Sequence, residues 1–501
     1  MTLATEPTAT RRRWAGLAVL SASLLLVVMD ITILNVALPA ISADLRPDAM
    51  QLLWMVDAYP LVLSGLLVTV SGLGDRWGRK KMLLSGFAVF GLASTLILLA
   101  DGPLAVIAVR ALLGVGGAMI MPSTLSMIRT LFTDPRERAT ALGVWGAMAA
   151  VGGALGPILG GLLLENFSWH SAFLVNVPVM AVAIVAGLFL LPESRTAVRA
   201  RWDGAGMLLS IVGMVALVYS IKNLGKNGLT DPVGLATLTL AAVMLGWFVL
   251  RCLRRPDPLL DIGLFRSGPF TAGVVVALAT SIAMAATMLL MAQWMQLVQG
   301  YSPLETGLRL LPTAVFALVA SPLAPALAAR IGARTVLAGG MAVAGLGFLL
   351  LFVAPLEYGW VALALVFVGL GQGALAIASA VVMSGSPVEK AGNAAAIEET
   401  SYELGSVLGV AVLGSVAAAV YRAGLPHAVE GSAAARESLG GTLDVAAQLG
   451  AEGERLAVLA KAAFADSLAI TGAAGAGLML AATLAIWWLT PRDLDLGSTH
   501  H

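Results

Sequence analysis

Fourteen separate stretches of about twenty or more mostly apolar residues punctuate this chain, and a water-soluble globule has no interior large enough to hide them. They run over residues 14–38, 51–72, 82–100, 104–128, 139–163, 171–191, 204–222, 232–251, 269–293, 305–328, 335–354, 359–383, 394–421 and 466–489. A helix rises about 1.5 Å per residue, so each is long enough to cross a hydrocarbon layer about 30 Å thick. Composition sharpens the exclusion. Hydrophobic residues make up 59% of the 501 before glycine is counted, and charged residues only 12%, against roughly 25% charged in soluble domains. With a net charge of +1 and a single cysteine, a nucleic-acid binder, a disordered scaffold, a disulfide framework and a Cys-based zinc site are all disfavoured. The histidines at 170, 427, 500 and 501 show no ligand spacing. The expected class is an all-α integral membrane protein with no metal and no cofactor.

Basic residues orient the spans. The first span follows Arg11, Arg12 and Arg13 and is too long for a signal-peptide core, so it reads as a retained anchor. With the N-terminus inside, 21 of the 30 Lys and Arg fall in cytoplasmic segments. Short outer loops hold Arg46, Lys222 and Lys226 alone, and the long last outer loop holds Arg422, Arg436, Arg455 and Lys461. This bias predicts both termini in the cytoplasm.

The chain also repeats. RWGRK at 76–80 matches RIGAR at 330–334, and PRER at 135–138 matches PVEK at 387–390. The repeat maps spans one to six onto spans nine to fourteen and leaves spans seven and eight as an insertion. The expected organisation is a cytoplasmic tail (1–13), a first six-helix bundle (14–191), linkers with two extra helices (192–267), a second bundle (268–490) and a cytoplasmic tail (491–501). Paired bundles with a site between them near mid-membrane are a transporter architecture.

Charges inside spans are costly, about 2.5–3.5 kcal/mol each on insertion scales, and mark function by default. The obvious members are Asp30, Asp57, Arg110, Glu398, Glu399 and Glu403. Counting residues from the span ends puts Asp30, Asp57 and Arg110 at similar depth, roughly 9–12 Å below the outer boundary, where the three could meet. The repeat offset puts Glu399 in the inner third and Glu403 near midplane, on one face with Ser406, while Glu398 and Tyr402 share the adjacent face. Burial disfavours the charged form of a carboxyl, so such a group takes a proton from an acidic side and releases it to a neutral one. Ionised, it attracts a cation. Mutual exclusion of proton and cation at one site is the minimal device for antiport. Trp54 and Tyr402 are candidate cation–π contacts, and Met29 a candidate apolar wall. Plainer readings stand beside these: a purely structural Asp30–Arg110 pair, a water-facing Glu398, and Trp54, Tyr402 and the methionines as packing. No nucleophile–base pair, phosphate loop or metal cluster suggests an enzyme.

From about residue 14 to 490 the chain resembles the major facilitator superfamily, in its fourteen-span drug:proton antiporter branch. The resemblance rests on DITILNVALP (30–39), SGLGDRWGRKK (71–81), Arg110 with Gly114 and Gly116, the span-five set Gly152, Gly156, Pro157, Gly160 and Gly161, and Trp169, Phe173, Asn176 and Pro178. Asp30, Asp57 and NAAAIEETSYELG (393–405) are similar to QacA- and SmvA-type exporters of quaternary ammonium compounds and related lipophilic cations. The resemblance implies the major facilitator fold, two pseudo-repeated six-helix bundles plus two inserted helices. It also implies protonation or substrate roles for Asp30, Asp57, Glu399 and Glu403 and a relay role for Arg110. Asp75, Arg76, Gly78 and Arg79 would form a cytoplasmic latch, and the loop 422–465 a helical hairpin. Departures are Ser71, Leu113, His170, Ala329 in the second loop copy, and Arg309 in a span without a deep carboxylate.

The expected function is proton-driven export of lipophilic cationic drugs across a bacterial cytoplasmic membrane. The protein would act as a monomer among lipids, with protons and small cations as partners and no nucleic acid. A dedicated exporter of one natural product or lipid, a nutrient symporter and a non-transporting receptor are the alternatives.

Overall fold

The computed structural model describes residues 7–193, 203–255, 258–386, 391–425, 438–449, 451–492 and 494. These form seventeen helices: α1 (Pro7–Leu45), α2 (Ala49–Trp77), α3 (Arg79–Leu96), α4 (Pro103–Leu131), α5 (Pro135–Asn166), the one-turn α6 (Ser171–Leu174), α7 (Asn176–Leu190), α8 (Gly204–Asn227), α9 (Pro232–Arg254), α10 (Gly268–Gln293), α11 (Pro303–Ile331), α12 (Ala333–Val353), α13 (Tyr358–Gly371), α14 (Gly373–Ser384), α15 (Ala391–Gly424), α16 (Leu439–Gln448) and α17 (Ala451–Leu489). Fourteen segments are long and apolar enough to cross a membrane. The α1 N-terminus defines the proximal face; the α1–α2 connection defines the distal face.

Helix ends follow local chemistry rather than hydropathy. Capping boxes start α2 (Asp48 with Gln51) and α11 (Ser302 with Glu305). Asp203 and Asp231 cap α8 and α9 through the Gly206 and Gly234 amides. A helix keeps its hydrogen bonds past the hydrocarbon boundary, so several outrun the sequence estimate: α1 reaches Leu45 and α8 reaches Asn227. Lys222, expected in a short outer loop, therefore lies inside α8 and is buried. Within the region 422–465, expected as a hairpin, the described residues include α16 and the first turns of α17; residues 426–437 and 450 lie outside the described residues.

The two loop copies fold alike. Gly78 and Gly332 each end one helix and begin the next, with φ of 115° and 88°. Only glycine takes that conformation without strain. The repeat seen in sequence is thus a repeat in backbone geometry.

Two apolar cores form. The first is built mostly from α1–α7 and the second mostly from α10–α17. The large apolar side chains left exposed, among them Phe189, Trp247 and Trp488, suit a lipid surround. Helix α9 packs chiefly on α8, and α8 lies against both α2 and α15.

The α8–α9 pair is stapled at the proximal face. Arg251 donates three hydrogen bonds to Asp203 at 2.8–3.0 Å, and Arg255 lies 3.1 Å from the same carboxylate. The Arg251 hydrogen bonds, with the Gly206 amide, hold the Asp203 carboxyl below its usual range despite the opposing effect of burial. A depressed native pKa stabilises the fold fully above the unfolded value, near 4, and the gain fades as pH falls through the lower native value. Asp203→Asn should cost about 1.5–3 kcal/mol at neutral pH, the usual worth of hydrogen bonds to a charged group. Thermal unfolding of the two proteins should differ at pH 7 and converge in acid.

Candidate functional site

Three groups of polar side chains lie within the spans. The first joins α1, α2, α4 and α7. Arg110 Nη1 donates to Asp30 Oδ2 at 2.6 Å, and Arg110 Nε donates to the Met55 carbonyl at 3.1 Å. Asn176 donates to the other Asp30 oxygen at 2.8 Å and lies 3.3 Å from Ser94 Oγ. The guanidinium lies 4.7 Å from the centre of the Tyr59 ring. Asp30 and Arg110 are each 1% exposed. Both charges are thus desolvated but held by several partners, which is what makes a buried pair tolerable.

The second group separates Asp57 from this network. The depth estimate allowed Asp57 to meet Asp30 and Arg110. Instead its carboxylate meets Lys222 Nζ of α8 at 2.7 Å, with both side chains almost completely buried. The Lys222 ammonium lies 4.2 Å from the centre of the Trp54 ring. Trp54, a candidate cation–π contact for a substrate, meets a cation of the chain itself.

The third group is on α15. Glu398, Glu399 and Glu403 fall within two turns of one continuous helix. Glu398, which sequence left open to water, is 6% exposed and accepts a hydrogen bond from Ser379 of α14. Glu399 is half-buried and Glu403 buried. Among the described residues, none of the three has a basic partner, in contrast with Asp30 and Asp57. Tyr402 is half-buried on the same helix.

Tyr59 stands beside Arg110 in the first group. Its hydroxyl is buried with no hydrogen-bond partner among the described residues. Sequence reasoning missed Tyr59 and Lys222. Each sits on a span that also carries, or meets, a noted acid; Lys222 was discounted because hydropathy falls away just after it.

The remaining candidates are structural in placement. Met29 is buried in the first core. Gly78 is the positive-φ joint, Arg79 hydrogen-bonds the Ser126 carbonyl of α4 at 3.4 Å, and the Asp75 and Arg76 side chains lie outside the described residues. Helix α5 runs unbroken through Pro157. Its glycines divide the work: Gly152, Gly156 and Gly160 lie directly on α1, while Gly161 faces the backbone of Pro303 and Leu304 on α11. Gly307 of α11 in turn abuts the backbone of Pro157. Any side chain at these positions would overlap the neighbouring helix. Two side-chain hydrogen bonds also join the cores, from Gln296 to the Val36 carbonyl (3.0 Å) and from Ser302 to Glu165 (2.5 Å). These contacts lie toward the distal face, which is therefore closed.

The Major Facilitator Superfamily profile matches residues 20–410. The chain is 40% identical over 493 residues to the multidrug efflux pump LfrA of Mycolicibacterium smegmatis, covering 96% of this chain and 97% of LfrA. It is 36% identical over 489 residues to the methyl viologen resistance protein SmvA of Salmonella typhimurium, covering 95% and 98%. A tetracenomycin C resistance and export protein of Streptomyces glaucescens is 33% identical over 408 residues, covering 80% and 76%. In three dimensions the fold is similar to an inward-facing bacterial homologue of the lysosomal transporter Spinster, with a TM-score of 0.66, 16% identity and coverage of 98% and 100%. It is also similar to a peptide transporter, POT, with a TM-score of 0.60, 16% identity and coverage of 95% of each chain. With fourteen apolar helices and these matches along nearly its full length, the chain belongs to the Major Facilitator Superfamily and is a multi-pass membrane transporter, not an enzyme.

Proposed function

We propose that this transporter exports lipophilic cations, quaternary ammonium compounds among them, in exchange for protons. The observation that carries the reading is the set of three acids on α15 with no basic partner among the described residues. Uncompensated carboxyls in a membrane interior are costly unless a proton or another cation satisfies them. SmvA and LfrA support the same substrate class: methyl viologen is an organic dication, and LfrA is a multidrug pump. With both termini cytoplasmic, the distal face is the outside of a bacterial cytoplasmic membrane, and the present state is closed outward. Rocking of the two bundles would open it. The working unit is one chain among lipids.

The charge balance is simple. Moving one net charge through the potential is worth about 2.3 kcal/mol per 100 mV. One proton exchanged for a monovalent cation moves none, so exchange would run on the pH difference; a dication needs two protons for the same neutrality. In inverted vesicles with an acid interior, adding tetraphenylphosphonium should draw protons out as the cation enters. Proton entry alongside the cation would mean symport, and absence of any coupled proton movement would defeat the proposal.

A narrower reading, export of one natural product, draws support from the tetracenomycin C exporter. A panel of unrelated cationic dyes separates the two, since a dedicated exporter would move few of them.

A further inference from the structure

The Asp57–Lys222 pair is bound more sparsely than its counterparts. Asp203 receives three hydrogen bonds from Arg251 and one from a backbone amide. Asp30 is held by Arg110 and Asn176. Asp57 and Lys222 touch each other at 2.7 Å, and among the described residues neither makes a further hydrogen bond. Desolvating two charges costs several kcal/mol per ion, and one ion contact, with the Trp54 ring beside the ammonium, returns only part of it. A purely structural staple would be better furnished.

Its location adds a second observation. Helix α8 is wedged where α2 meets α15, with Leu61, Val218, Val407 and Ala411 packed together at the junction. Toward α15 the contact is intimate: Gly225 abuts Ser415, and Arg422 donates to the Gly225 carbonyl at 2.7 Å. Toward α2 at this distal end, α8 holds on through side chains: Lys222 pairs with Asp57 and lies over the Trp54 ring, and the more exposed Lys226 stands 3.5 Å from Asp48. Nearer the proximal face Ile211 packs on Gly65 of α2 and offers a pivot. Opening the distal face must part α2 from α15, and the main-chain contact at Gly225 favours α8 staying with α15.

We propose that Lys222 is a tethered counter-ion, a positioning residue that neutralises Asp57 while the distal face is closed and is drawn off with α8 when α2 and α15 separate, leaving Asp57 free for a proton or a cationic substrate. Among the described residues Lys222 is the basic group paired with Asp57, so its withdrawal changes the site charge by a full unit. The inserted helices then belong to the coupling machinery. The inference rests on the cation-exporter reading and extends it.

Two measurements test it. First, Lys222→Met should bind tetraphenylphosphonium at least tenfold more tightly than wild type in detergent, because the carboxylate has lost its internal competitor, while Lys222→Arg stays close to wild type. Equal or weaker binding by Lys222→Met, with full activity of the Asp57→Asn/Lys222→Met double variant, would show a mere staple. Second, in a Cys252→Ser background, nitroxide labels at Leu229→Cys and Ala43→Cys should show two distances whose populations shift between pH 5.5 and pH 8.5. Labels at Leu229→Cys and Ala423→Cys should show one. The reverse pattern overturns the proposal, because α8 would then travel with the first bundle, to which α1 and α2 belong. If the wild type binds no tetraphenylphosphonium, the cation reading fails by itself, and the two label pairs still decide whether Lys222 leaves Asp57.

Discussion

Arg110→Ala is expected to destabilise the protein by about 3–5 kcal/mol, the usual consequence of stranding one member of a buried ion pair. Efflux should fall to that of vesicles lacking the protein. The size follows from the partners. Arg110 satisfies Asp30 and the Met55 carbonyl at once, and its guanidinium covers the Tyr59 ring. Alanine leaves Asp30 with Asn176 alone in a site closed to water. Lysine should be a poor substitute, because a single ammonium cannot match a planar fork that serves α1 and α2 together. The double variant Asp30→Asn/Arg110→Met separates stability from function. With neither charge buried it should regain most of the lost melting temperature and remain unable to drive efflux. Recovery of proton-driven efflux in that double variant would make the pair structural only.

Glu403→Gln should remove most of the coupling. Two opposite charges about 4 Å apart at an effective dielectric constant near 20 attract by roughly 4 kcal/mol. Losing one acid next to a bound cation therefore weakens binding by up to about a thousandfold, less if Glu399 takes up the role. The glutamine side chain keeps the shape of a protonated glutamate and cannot release a proton. Adding tetraphenylphosphonium to weakly buffered wild-type protein should acidify the solution, and the Glu403→Gln variant should release fewer protons. Wild-type affinity should weaken as pH is lowered, because protons and cation compete; the Glu399→Gln/Glu403→Gln variant should show a much flatter profile. Unchanged proton release in that double variant would move the coupling site off α15.

The span count, the repeat and the depth match of Asp30 with Arg110 were legible in the sequence, since each depends on one-dimensional quantities: apolar length, loop spacing and residues from a boundary. Asp57 shows where that arithmetic stops. Its depth matched Arg110 as well as Asp30's did, yet depth says nothing of the direction a residue faces around its helix, and Asp57 turns to α8. Lys222 was concealed because Asn223, Gly225 and Lys226 lower hydropathy before the helix ends, and hydropathy cannot see that Asn227 is still hydrogen-bonded to its own helix. Asn176 was noted as part of a span-start pattern, but its bond to Asp30 joins positions 146 residues apart in the chain, a relation carried by packing alone. The glycines of α5 gave their crowding away by density. That they would serve two different neighbours, α1 and α11, depended on helix phase.

At the α5–α11 crossing, main chain meets main chain, with Gly161 against Pro303 and Leu304 and Gly307 against Pro157. A gasket of that kind offers nothing to titrate, oxidise or compete for, and it reads no cargo. Leak-tightness and selectivity are therefore vested in different atoms. On the proposed reading, the acids of α15 are at liberty to change with the cargo without loosening the seal. One methyl group in the gasket would strike the facing main chain and oppose its closure, whatever the cargo.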